Sequence, residues 1–140
     1  MGIEENKEVV RRVFEEVRNG QNYEHINDLI HRDFVYSTPV MDFKGPEGFK
    51  ENNTMWRTAF PDLKRTIIEI VGEGDIVALL DEFDGTFQGD FMGFKPTGNH
   101  VTHIMTHFFR LKDGKVIEMI PTANNLSMSQ QMGITPPNPS

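Results

Sequence analysis

The sequence predicts an α+β fold in which helices cover one face of a curved antiparallel sheet. Three observations carry this. Helical periodicity is confined to the part of the chain that ends at Ala59. From Leu63 onward, apolar and polar residues alternate in runs cut by Gly, Asp, Asn and Pro. Helices come first and strands follow one another, the order of an antiparallel meander rather than of alternating strand–helix units. A sheet of this kind buries one face against its helices and can enclose a pocket between the two layers.

The elements follow in order. Glu4 to Arg18 reads as an amphipathic helix, with Val9, Val10, Val13, Phe14 and Val17 at helical spacing and Asn19-Gly20 as its stop. Tyr23 to His31 reads as a shorter helix with Ile26, Leu29 and Ile30 on one side. Asp33 to Thr38 is a short strand ended by Pro39. Gly45-Pro46-Glu47-Gly48 is a turn leading into a helix from Phe49 to Ala59, which Phe60-Pro61-Asp62 stops. Strands follow at Lys64–Val71 and Ile76–Gln88, joined by the turn Gly72–Asp75. Gly89 to Asn99 is a loop, whose aromatic stretch Gly89–Phe94 has the composition of a lid or hairpin tip. Val101 to Leu111 is the next strand, and Asp113-Gly114 is a strong hairpin signal before a last strand from Val116 to about Asn124. Ser127–Met132 is too short to assign, and Thr135–Ser140 reads as a frayed tail. One domain is expected over 1–140, with an ordered core over 6–133 and a tail over 134–140.

Composition removes several function classes. The formal net charge is −7, without a basic stripe, which argues against nucleic acid as a partner. The chain has no cysteine, hence no disulfide framework, thiolate metal site or Cys nucleophile. No run approaches the ~20 apolar residues needed to span a bilayer, and no signal peptide is visible. The expectation is a cytoplasmic protein with no membrane association. Asn52-Asn53-Thr54 and Asn125-Leu126-Ser127 match the glycosylation pattern and are read as chance matches.

The chemistry concentrates on one strand face. Val101, His103, Met105, His107, Phe109 and Leu111 share the more apolar side of their strand, because strand side chains alternate with a period of two. The preceding strand places Val77, Leu79, Asp81, Phe83, Gly85 and Phe87 on its apolar side. Asp81 therefore points inward among aromatic residues, where an ionised carboxylate is costly unless paired or wet. Setting Phe87 beside Val101 sets Asp81 beside His107; a slip of two residues keeps the shared face and breaks the direct pairing. Pairing Lys112 with Lys115 across the hairpin sets His107 opposite Ile120 and His103 opposite Asn124. An Asp–His pair orients an imidazole and raises its basicity, as acid–base sites require. His103 and His107 lie about 13 Å apart along a strand at ~3.3 Å per residue, too far to share one metal ion, so no metal is expected. Tyr36 and Trp56 are polar-tipped aromatics able to close a pocket.

Several ordered segments resemble one known family. Val9–Phe14, Ala59-Phe60-Pro61-Asp62-Leu63, Gly72-Glu73-Gly74-Asp75, Asp84–Gly89, Lys95-Pro96-Thr97-Gly98, Phe109–Glu118 and Gln130-Gln131-Met132-Gly133 resemble, in this order, motifs of the SnoaL-like polyketide cyclases. These belong to the nuclear-transport-factor-2-like superfamily of α+β cones. The resemblance runs from Asn6 to about Gly133. It implies a cone with an internal pocket, a homodimer formed through the sheet, and cofactor-free aldol ring closure by an inward Asp helped by an inward His. In this chain those two positions hold Asn124 and Phe87, and the family's nearby Trp is Ile120. Asn has no useful basicity. Other branches of the superfamily would place a base at Thr38 or use an Asp-Arg-Asp set, for which Arg110 faces outward.

The expected function is acid–base chemistry, of cyclase or isomerase type, on an apolar carbonyl or polyketide-like compound. The expected catalytic residues are Asp81, His107 and His103, with His107 as proton acceptor and His103 with Asn124 binding an oxygen. The expected ligand-binding residues are Tyr36, Trp56, Phe83, Phe87, Met105, Ile120 and Asn124. The alternative is a non-catalytic module that binds a small apolar ligand in the same pocket.

Overall fold

The computed structural model describes residues 2–38 and 41–134. Pro39, expected to end a strand, and the expected tail from Thr135 lie outside the described residues.

Helix α1 spans Ile3–Arg12 and runs on into a π-helical segment, Val13–Asn19. Val10, Val13, Phe14 and Val17 are fully buried, as their spacing predicts. The widened final turns also bring Arg18 to the buried side, four residues beyond Phe14. Helix α2 is only Ile26–Leu29, because Ile30 already adopts extended backbone and opens strand β1, Ile30–Ser37. Strand β2, Asp42–Lys44, pairs antiparallel with β1 and was not expected; at three residues it is too short for periodicity to reveal. Helix α3 spans Gly45–Ala59, so the expected turn at Gly45–Gly48 is its first turn. Pro46 suits that place, where its missing N–H costs nothing.

The meander consists of β3 (Lys64–Glu73), β4 (Ile76–Thr86), β5 (His100–Lys112) and β6 (Lys115–Thr122). Helix α4, Asn125–Met132, follows. The sheet has six strands in the order β2-β1-β6-β5-β4-β3. All neighbours are antiparallel except β1 and β6, which run parallel. A long excursion separates those two strands, so no tight turn dictates their direction.

Two bulges bend the meander. On β3, Ile67 faces Asp81 and Glu69 faces Leu80, so Ile68 is the extra residue. On β6, Val116 faces Leu111 and Glu118 faces Arg110, so Ile117 is extra. The second bulge corrects the expected hairpin register. His107 lies opposite Pro121, and Ile120 faces outward, half exposed. The β4–β5 register also differs by two residues from the one that would pair Phe87 with Val101: Gly85 faces Val101, and Phe87 bonds through its backbone to Asn99 and Gly98. On the outer face, Thr102 Oγ1 donates to Asp84 Oδ1 at 2.8 Å and the His100 ring bonds the same oxygen at 2.6 Å, which fixes this register.

The inner face is as expected: Val77, Leu79, Asp81 and Phe83 on β4, and Val101, His103, Met105, His107, Phe109 and Leu111 on β5, are all buried. The core has two parts. One gathers α1, β1 and the inner face near Leu79 and Phe109; the other gathers Phe60, Phe83, Phe87, Met128 and Met132 beneath α4. The second part is tied to α3 by Gln88 and Gly89, whose N–H groups both donate to Ala59 O. A Cβ at Gly89 would lie 2.0 Å from the backbone oxygen of Thr58. Gly89→Ala therefore forces two backbones apart. Its expected cost is about 1–3 kcal/mol, seen as a lower urea midpoint; an unchanged midpoint would show that the two segments do not meet this closely.

Candidate active site

Asp81 is 0% exposed, and its two oxygens are taken by different strands. Oδ1 accepts from His107 Nε2 at 2.8 Å, and Oδ2 accepts from Arg65 Nη1 at 3.4 Å. The register puts Met105, not His107, directly opposite Asp81, so the Asp81–His107 bond is a diagonal one. The contact expected from direct pairing thus exists, through a different geometry. Burial pushes the Asp81 carboxyl up, but the His107 hydrogen bond and the Arg65 charge outweigh it, and the group titrates below its ordinary value. An ionised carboxylate only accepts, so His107 carries its hydrogen on Nε2. Its Nδ1 is buried without a partner, and the ring packs edge-on against Phe14 at 5.3 Å. Burial holds His107 below its ordinary pKa despite Asp81, so the imidazole is neutral at neutral pH.

Arg65 was not foreseen. The Lys64-Arg65 pair opening a strand looks like a solvated end, yet only Lys64 is exposed. The signal was present: Leu63, Arg65 and Ile67 share one parity, and an inward Asp81 demands a cation. Arg65 also reaches the Met105 sulfur at 3.4 Å and lies over the Phe83 ring at 5.1 Å.

Arg18 is the second unforeseen cation, 2% exposed. Its Nη1 donates to Asn52 Oδ1 at 2.7 Å and its Nη2 approaches the Met119 sulfur at 3.8 Å. The guanidinium lies 4.4 Å from the centre of the Phe49 ring. Burial, with the Arg65 charge, pushes its pKa down to about 9, so it remains a cation at neutral pH. Asn52, met in the sequence as a chance glycosylation match, is a core residue, 1% exposed.

A cavity of about 570 Å³ opens between α3, the ends of β1 and β6, the loop carrying Phe91, and α4. Its wall is largely apolar, with Tyr36, Trp56, Phe91, Met105 and Met128 among its members, and Asn52 supplies a buried polar group. Of the expected ligand-binding residues, Tyr36, Trp56 and Met105 line this cavity. Phe83 and Phe87 do not line the cavity; both are 0% exposed, Phe83 edge-on to Phe60 and Phe87 stacked on it. Asn124 is exposed and caps α4, accepting from Ser127 N–H at 2.9 Å. With β6 ending at Thr122, the expected His103–Asn124 pairing does not form. His103 instead packs edge-on against Phe83 at 5.1 Å, with both ring nitrogens unpartnered. Asp81 and His107 lie behind the cavity wall, and Met105 connects the two regions: it lines the cavity and its sulfur meets Arg65. Among the described residues no cluster of three His, Cys, Asp or Glu is placed to hold a metal ion, and no helix is long and apolar enough to cross a membrane.

The buried imidazoles set a pH response. Burial lowers His103 and His107 below their ordinary 6.5, so just below that pH the unfolded chain takes up protons that the folded chain refuses. Stability therefore falls as pH drops through this window. The Asp81 contribution is present above the ordinary carboxylate value of 3.8 and is lost only at still lower pH, as its depressed folded value is passed. His103→Phe breaks no hydrogen bond and removes one of the two imidazoles. Urea unfolding between about pH 7 and about pH 5 is expected to show its slope of stability against pH reduced by up to ~1.4 kcal/mol per unit; an undiminished slope would exclude His103 as a contributor.

Comparison with known proteins agrees with this architecture. Residues 8–132 match the family model of the SnoaL-like polyketide cyclases. Among solved structures, a protein from Jannaschia sp. CCS1 described as a SnoaL-like polyketide cyclase is 25% identical, with a TM-score of 0.85 over 96% of this chain and 95% of its own. AclR of Streptomyces galilaeus, described as a hydroxylase, is 27% identical, with a TM-score of 0.79 over 99% of this chain and 87% of its own. IdmH of Streptomyces antibioticus, described as a polyketide cyclase, is also 27% identical, with a TM-score of 0.76 over 92% of this chain and 99% of its own. No curated protein matches the sequence. The chain belongs to the SnoaL-like polyketide cyclase family.

Proposed function

We propose that this protein takes a small, largely apolar carbonyl compound into its cavity and performs cofactor-free acid–base chemistry on it, of cyclase or isomerase type. The observation that carries this reading is an apolar cavity whose wall member Met105 lies directly against a buried Arg65–Asp81–His107 cluster. Asp81 is the proton-accepting group of this reading, held ionised by Arg65 and by the neutral His107 imidazole. Met105 is unbranched and flexible, and a change of its rotamer is the step that would bring a ligand to Asp81. AclR and IdmH are described as a hydroxylase and a polyketide cyclase, so likeness to them supports a small-molecule enzyme without naming its reaction.

A second reading, binding without turnover, is favoured by one observation: neither Asp81 nor His107 lines the cavity. The two readings separate in one experiment. Aromatic β-diketones and polyketide-like methyl esters are incubated with the protein and followed by mass spectrometry. The acid–base reading expects turnover that Asp81→Asn and His107→Gln each lower about 10²–10⁴-fold, with circular dichroism showing that the variants are folded. Undiminished turnover in both variants would sink it, and ligand-dependent stabilisation without turnover would establish the binding reading.

The outer sheet face supports a homodimer. Ile68, Ile104, Phe108 and Ile120 are each about half exposed, and Phe108 and Ile120 are cross-strand partners on one apolar stripe. A second copy would cover that stripe. Sedimentation velocity is expected to give a dimer for the wild type and a monomer for Phe108→Glu; a monomeric wild type would refute it.

A further inference from the structure

The interior holds more buried cation than anion. Arg18 and Arg65 are both buried, and among the described residues Asp81 is the one buried carboxylate. Asp81 is already engaged by Arg65 and His107. Arg18 has no carboxylate within ion-pair distance among the described residues; its partners are an amide oxygen, a thioether and a ring face. A buried cation matched only by neutral groups leaves positive potential that an incoming anion can satisfy.

That potential reaches the cavity through Asn52. The amide orientation is fixed chemically: its oxygen must face the Arg18 donor, since an NH2 there would set donor against donor. The Nδ2 group therefore points away from Arg18. It is buried and has no hydrogen-bond partner, and Asn52 lines the cavity. An amide whose oxygen is bound to a guanidinium is polarised, which strengthens its N–H donors. Leaving such a group bare is costly unless a ligand uses it. Tyr36 lines the same cavity, and the remaining wall is mainly Met, Phe and Trp.

We infer that Asn52, oriented and polarised by Arg18, is the polar anchor of the cavity, and that it binds an anionic oxygen, carboxylate or enolate, carried on an apolar body. This rests on the reading of the cavity as a small-molecule site and names the chemistry of its occupant. Arg18 is a positioning residue: it acts through Asn52. The anchor is separate from Asp81, which a second anion would be repelled by at close range.

Two probes of equal shape test it by calorimetry at neutral pH: 2-naphthoate, and its neutral counterpart 2-acetylnaphthalene. A charge-assisted hydrogen bond predicts that naphthoate binds the wild type about 10–100-fold more tightly. Asn52→Leu is expected to abolish that preference while 2-acetylnaphthalene still binds. Because the leucine leaves Arg18 without an acceptor and so destabilises the fold, Asn52→Asp is the second variant. Its carboxylate pairs with Arg18, keeps the fold and repels naphthoate, so only the neutral probe should bind. Equal affinity of the two probes for the wild type, or a preference for naphthoate that survives in Asn52→Asp, would overturn the anchor and leave the cavity reading standing. Failure of both probes to bind the wild type would overturn the two together.

Discussion

The inner layer of this protein is organised around a single buried carboxylate. Asp81 sits in the middle of β4 and draws one partner from each flanking strand, Arg65 from β3 and His107 from β5. Neither charged member tolerates burial alone: an unpaired charge in an apolar interior costs several kcal/mol, of order 3–5 when one partner of a buried pair is lost. Together they satisfy one another and tie three strands on the side where the sheet meets α1. The cluster also dictates packing. Phe14 of the π-helical segment lies edge-on to His107, and Phe83 lies under Arg65, so apolar contacts follow the placement of the polar ones.

The fold was legible because its two periodicities are clean and separate. The residues expected on the inner faces of β4 and β5 are the buried ones, and the hairpins at Gly74 and Gly114 fall where their turn residues say. What escaped was anything that depends on a single inserted residue or a distant partner. Ile117 is invisible as a bulge in the sequence, yet it turns Ile120 outward and removes it from the pocket. The parallel pairing of β1 with β6 joins segments far apart in the chain, which no local pattern encodes. Helix α4 offers little amphipathic pattern, and its start is marked by the cap Asn124, a residue read instead as the end of a strand.

The site was half legible for a related reason. Asp81, His103 and His107 were found because polar residues on an apolar face of a strand stand out. Arg65 and Arg18 were missed because a cation at the start of a strand or the end of a helix is ordinarily solvated there. Parity with Leu63 and a four-residue step from Phe14 were the available signs, and both acquire meaning only once Asp81 is known to need a cation. The inward Asp–His relation survived a register slip of two residues because diagonal neighbours on one face remain within reach of an imidazole.

The distribution of charge separates two tasks that a single acidic residue would confuse. Asp81 is saturated by a cation and an imidazole, which keeps it ionised and makes its region a poor place for another anion. Arg18 is left with neutral partners, which makes its region a good one. Both histidines stay neutral on burial, so neither alters this balance near neutral pH. Between the two regions lies the wall formed by Asn52 and Met105, each bonded to one of the guanidiniums and each facing the cavity. A molecule entering there meets an unused N–H donor at Asn52 and, at Met105, a flexible thioether in front of the carboxylate. In the proposed reading the two contacts are ordered in space: an oxygen would be held at one place and a proton taken at another. An enolisable carbonyl compound has just these two needs, because the oxygen gains negative charge as the adjacent carbon loses its proton.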